Sequence, residues 1–140
     1  MKINLSINSE ESPGFIEVSI TGNKEVYSNL SGELKILKTD TIFLLADKKS
    51  DFYKNSIETL YCKIKDNTNE LLDLCLVKNS LIISGDKSAY LNLSETLFNL
   101  SDCEKSTNYI NPHFHIDYYE GNVILSETNI SLVLELVEPF

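Results

Sequence analysis

VSITGNKEVYSNLSGELKIL, Val18 to Leu37, and LIISGDKSAYLNLSETLFNL, Leu81 to Leu100, are two versions of one pattern set 63 residues apart. Without a gap, Ile20 falls on Ile83, Gly22 on Gly85, Lys24 on Lys87, Tyr27 on Tyr90 and Asn29 on Asn92. Leu30, Ser31, Leu34 and Leu37 likewise fall on Leu93, Ser94, Leu97 and Leu100. Agreement of this density reads as a duplicated supersecondary unit. It also sorts the residues. What both copies keep serves the scaffold, and what one copy alone carries is where a specific function sits.

Around each copy the chain is expected to run strand, strand, helix, strand, strand. The alternation of Ile3, Leu5 and Ile7 predicts a strand over Lys2 to Asn8. A turn at Ser12-Pro13-Gly14 then leads into a strand starting at Phe15. Leu71 to Val77, the turn Lys78-Asn79-Ser80 and Leu81 to Ile83 repeat that hairpin. Gly22 and Gly85 suit a tight strand-to-helix turn, and Asn23 and Asp86 are placed to cap the helices that follow. Tyr27, Leu30, Leu34 and Leu37, with Tyr90, Leu93, Leu97 and Leu100, form matching apolar stripes at helical spacing. Gly32 interrupts the first helix and weakens it. Closing strands are expected at Thr41 to Ala46 with Ser56 to Ile64, and at His113 to Tyr119 with Ile130 to Val137, before Pro139. The fold predicted is α+β: two tandem ββαββ-like units forming an antiparallel sheet, with one helix per unit packed on one face. It is one domain, residues 1–140, made of two pseudo-repeats at about 1–65 and 69–140.

Composition narrows the function. A chain of 140 residues with 42% hydrophobic and 24% charged residues holds a core without staples. Cys62, Cys75 and Cys103 are odd in number and widely spaced, which is no disulfide framework. Cys62 and Cys75 sit in apolar stretches and are expected to be structural, while Cys103 lies between Asp102 and Glu104, which disfavour its thiolate. Of 33 charged side chains 21 are acidic and 12 are lysine, with no arginine, for a net charge of −9. An acidic chain repels phosphates, so nucleic acid is not the expected partner, and the missing guanidinium lowers the case for phosphoryl transfer. No apolar run is long enough to span a bilayer and no signal-peptide centre opens the chain, so a cytoplasmic protein without a membrane partner is expected.

The residues that carry chemistry lie in one stretch, Pro112-His113-Phe114-His115-Ile116-Asp117-Tyr118-Tyr119-Glu120. On a strand, alternation puts His113, His115 and Asp117 on one face and Phe114, Ile116 and Tyr118 on the other. Two histidines and a carboxylate resemble half of a metal site, the alternative being a polar face. No Ser, Cys or Lys stands where a histidine base would need a nucleophile, so no catalytic residue and no cofactor are expected. Tyr118 and Tyr119 flanked by Asp117 and Glu120 fit a binding surface for a basic partner, since tyrosine is enriched at binding hot spots.

Over Leu81 to Val137 the chain resembles a family of small immunity proteins from bacterial polymorphic toxin systems, the one numbered 32. The resemblance lies in Ile-Ile-Ser-Gly-Asp, the leucines at 93, 97 and 100, Phe-His-Ile-Asp-Tyr-Tyr and Ser-Leu-Val-Leu-Glu-Leu. It implies a stoichiometric inhibitor that binds and blocks a cognate toxin, with His115 as the family-like position. The expected function is a non-enzymatic acidic binding protein, an immunity protein whose partner surface holds His113, His115, Asp117, Tyr118, Tyr119 and Glu120 and meets a basic toxin. The alternatives are a metal-binding module or metal-dependent enzyme using His113, His115 and Asp117, and a structural homo-oligomer joined by free strand edges.

Overall fold

Asn23 and Asp86 cap their helices in the same way: the Asn23 side chain accepts from the Val26 amide at 2.9 Å and that of Asp86 from the Ala89 amide at 2.8 Å. The helices are α1, Lys24–Lys35, and α2, Lys87–Ser101, in a computed structural model that describes residues 1–66, 69–102 and 113–137. Gly22 and Gly85 serve close approach rather than a positive φ. A Cβ would stand 2.9 Å from Leu5 Cδ1 at Gly22, and 2.8 Å from Leu72 Cδ2 and 3.0 Å from Ala89 Cβ at Gly85.

Along each helix the shared stripe turns inward. Tyr27, Leu30 and Leu34 are buried on α1, and Tyr90, Leu93, Leu97 and Leu100 on α2. Leu37 packs against the core from just beyond α1, which stops about a turn short of the point equivalent to the end of α2. Gly32 is exposed, and a Cβ there would meet nothing within 4 Å. Gly32→Ala is therefore expected to raise stability by about 0.5–1 kcal/mol, read from the urea midpoint, because it adds helix propensity without a clash.

The helices cross at a third shared position. The Ser31 hydroxyl donates to the Ser94 carbonyl at 2.7 Å and the Ser94 hydroxyl to the Ser31 carbonyl at 2.8 Å, both buried. A small side chain on each helix lets the backbones approach closely enough for this exchange.

Strands β1 (Ser6–Ser12), β2 (Phe15–Gly22), β3 (Thr41–Leu44), β4 (Asn55–Ile57), β5 (Thr59–Ile64), β6 (Asp73–Val77), β7 (Ser80–Gly85), β8 (His113–Ile116) and β9 (Ile130–Leu136) form two sheets. A five-stranded sheet runs β4-β1-β2-β9-β8 and a four-stranded sheet β3-β5-β7-β6. The class is α+β, as expected, but the sheets are not purely antiparallel. β2 pairs with β9 and β5 with β7 in parallel, while the hairpins β1–β2 and β6–β7 are antiparallel.

Those parallel seams carry a larger correction. The closing strands of each half do not close that half: β3 and β5 lie in the sheet of β6 and β7, and β8 and β9 in the sheet of β1 and β2. The same bonds seal both seams. The Val137 amide donates to the Gly22 carbonyl at 2.9 Å and the Lys65 amide to the Gly85 carbonyl at 2.8 Å. The Tyr27 hydroxyl lies 2.8 Å from the carbonyls of Ile20 and Glu135, and that of Tyr90 2.9 and 2.8 Å from those of Ile83 and Lys63. Each tyrosine thus bridges a strand of its own half and a strand from the other.

Boundaries shift as well. The first strand is Ser6–Ser12 rather than Lys2 to Asn8, and Lys2 only bridges Leu44. The stretch Ser56 to Ile64 is two strands that break at Glu58 and join different sheets. The inner faces of both sheets meet the helix pair in one core that includes Leu5, Leu60, Leu97 and Leu134. Among the described residues, no helix is long and apolar enough to cross a membrane.

Cys62 is buried in that core and burial pushes its thiol up to about 12, so it stays protonated. Cys75, expected to be structural like Cys62, instead lies exposed on β6, because alternation along that strand turns Leu74 and Leu76 inward and Cys75 outward. Cys103 lies outside the described residues. In a Cys103→Ser background, Cys75 is expected to react with a thiol reagent at pH 8 within minutes and Cys62 only after unfolding, a difference that peptide mass mapping reads directly.

Candidate functional site

Strand register places His113, His115 and Asp117 on the outer face of the five-stranded sheet. His113 lies opposite Glu135 and His115 opposite Val133, and Asp117 reaches the next position, where its carboxylate accepts a hydrogen bond from Ser131. Continuing across β2 and β1, the same face shows three rows. One is Glu10, Glu17, Ser131 and Asp117; the next is Asn8, Ser19, Val133 and His115; the third is Ser6, Thr21, Glu135 and His113. These twelve positions hold four carboxylates and no lysine.

Acids placed side by side on a sheet repel one another, so their neighbours matter. Glu10 and Glu17 are directly paired, and the segment before β4 relieves them. The Lys54 amide donates to Glu10 Oε2 at 2.9 Å and its ammonium stands 3.6 Å from Oε1. The Tyr53 phenol lies beside Glu17 and Ser19. Partial burial, then Glu17, raises the Tyr53 phenol above its ordinary value, which keeps it a donor. Ser50 Oγ accepts from the amides of Phe52 and Tyr53 and fixes this cover. The β1 side of the face is consequently shielded, with Asn8 and Ser19 buried, while the β8 side stays open.

At that open side His113 Nε2 lies 3.8 Å from Glu135 Oε1, an ion pair whenever the imidazole is protonated. Ile116 is buried, but Phe114, expected on the same face, remains 42% exposed at the sheet edge. Beyond β8 the chain turns with Tyr118 37% and Tyr119 65% exposed and Glu120 exposed. Asn122 holds this turn: its side chain accepts from the amides of Ile124 and Leu125 and donates to the carbonyls of Tyr119 and Leu125. Gly121 supplies the positive φ of 89° that the turn needs.

The structure thus brings all six expected partner residues, His113, His115, Asp117, Tyr118, Tyr119 and Glu120, to one end of one sheet. Among the described residues, no three His, Cys, Asp or Glu side chains are grouped as a metal site, and His113 and Asp117 face Glu135 and Ser131 instead. Glu10, Glu17, Glu135 and Tyr53 were not read from the sequence. Glu17 and Glu135 left a trace there, as charged positions within otherwise apolar strands. No family model, no curated protein and no solved structure matches the chain.

Proposed function

We propose that the chain is a non-enzymatic binding protein that captures a basic protein through the open end of its acidic sheet face, and that this partner is a toxin which the chain neutralises. One observation carries the reading: the carboxylates of Glu135, Asp117 and Glu120 and the exposed rings of Phe114, Tyr118 and Tyr119 lie on or next to the single edge strand β8. Carboxylates steer and orient a cationic partner, while exposed aromatics supply area that gains free energy on burial. Acid alone would suit any cation; the adjoining rings favour a protein surface.

That the partner is a toxin rests on the resemblance of Leu81 to Val137 to immunity proteins, and a cytoplasmic site of action belongs to the same proposal. The test begins at the neighbouring open reading frame. Its product, co-expressed with the tagged chain, is expected to co-purify at one-to-one stoichiometry and to lose its toxicity to the host. A basic product that stays toxic and elutes separately overturns the proposal.

A further inference from the structure

The other sheet turns an unlike surface outward. Register on the four-stranded sheet sets Ile42, Tyr61, Ile82 and Cys75 in one row across β3, β5, β7 and β6, and Leu44, Thr59, Ser80 and Val77 in the next. Ile42, Leu44 and Val77 are 47%, 50% and 47% exposed, and Cys75 is exposed. None of these eight side chains is charged. A third row holds Lys63, Ser84 and Asp73 on β5, β7 and β6.

We propose that this face binds a second copy of the chain, face to face, about a two-fold axis parallel to the strands. Such an axis keeps each row in place and reverses the strand order, so β3 meets β6 of the second copy and β5 meets β7. Ile42 then lies over Cys75, Tyr61 over Ile82, Leu44 over Val77 and Thr59 over Ser80: uncharged side chains meet uncharged ones throughout, and in the second row apolar meets apolar and hydroxyl meets hydroxyl. The pattern across the second row, apolar, hydroxyl, hydroxyl, apolar, reads the same in both directions, which is what an isologous contact requires. The charges of the third row are held within each copy, Asp73 by Lys65 and the Lys63 ammonium 5.7 Å over the Tyr61 ring, so that row adds no pair between copies.

Charge points to the same occupant. Two copies at −9 repel wherever acidic faces meet, and this face, whose one carboxylate, Asp73, is paired with Lys65, is where approach costs least. A basic partner has no reason to choose it over the carboxylates on the opposite side of the molecule. The arrangement differs from the edge pairing considered above, since it uses the face and leaves the edges alone. Four strands at about 4.8 Å and three rows at about 7 Å give a patch of roughly 400 Å² per copy, about 800 Å² in all, so the dimer is reversible and weak.

Sedimentation equilibrium on the Cys103→Ser chain is expected to show a monomer–dimer equilibrium with a dissociation constant above about 10 µM, weakened at least tenfold by Ile82→Glu or by Leu44→Glu. Circular dichroism identifies any variant that fails to fold, and either one that folds suffices. A second arm fixes the register. Ile42 and Cys75 are on opposite edge strands of one sheet, too far apart to bridge within a chain, so Ile42→Cys is expected to give a covalent dimer on oxidation that Cys75→Ser abolishes. A monomer up to about 1 mM, a dimer indifferent to both charged variants, or cross-linking that survives Cys75→Ser overturns the proposal. Loss of toxin capture in place of dimerisation in Ile82→Glu does so too, and assigns the face to the other partner.

Discussion

Replacing Tyr27 and Tyr90 together by phenylalanine is expected to lower the unfolding free energy by about 2–6 kcal/mol, roughly 1–3 kcal/mol for each hydroxyl. Both rings are buried, and burial raises both phenols well above their ordinary values, so each hydroxyl remains a proton donor at any pH at which the fold survives. Each sits between two carbonyls from strands that meet in a parallel seam. Phenylalanine fills the same space but strands those acceptors away from solvent. The seams lie in different sheets, so the two costs are expected to add. Against a typical domain stability of about 5–15 kcal/mol, the double variant stands near the edge of folding. Urea denaturation checks this: the midpoint should fall with little change in slope, and a double variant within about 0.5 kcal/mol of the parent would deny the hydroxyls their clamping role.

The helices were legible in the sequence because what makes them is local. The caps at Asn23 and Asp86, the tyrosine-led stripes and the small residues Ser31 and Ser94 all act within one turn of their neighbours or through the repeat itself. Strand partnership was not legible. Leu60, Cys62 and Ile64 present the same alternation as Leu132, Leu134 and Leu136, so either closing strand could lie beside either central strand, and only three-dimensional closure selects the exchange. The break at Glu58 did leave a mark: Ile57 and Leu60 are both buried three positions apart, which a single period-2 strand does not allow. On β1 the face that holds Ile7 continues with the buried Ser9 and the exposed Glu11, so apolar alternation stops before the strand does.

The site shows the same division. One face for His113, His115 and Asp117 follows from spacing alone. Glu17 and Glu135 join them only because β9 runs beside β2, a neighbour that no window of sequence contains. Tyr53 depends on the fold of the segment around Ser50.

Asp117→Lys with Glu120→Lys carries the largest functional expectation. The pair changes the local charge by four units at the open end of the face, and association with the basic partner is expected to slow by about 10- to 100-fold at low salt. Wild-type association should itself fall as salt rises, and the variant should lose most of that dependence. Both residues are exposed and the loss is limited to the Ser131 hydrogen bond to Asp117, so stability should fall by no more than about 1.5 kcal/mol. Stopped-flow mixing at two ionic strengths separates the outcomes. An unchanged rate would place the contact away from these acids.

The most direct measurement is amide hydrogen exchange on the chain bound to the product of its neighbouring reading frame. Protection concentrated in β8, β9 and residues 117–122, with β3 and β6 unaffected, is the result expected of an acidic, tyrosine-bearing capture face. Protection confined to β3, β5 and β6, with His113 to Glu120 exchanging as in the free chain, would contradict it.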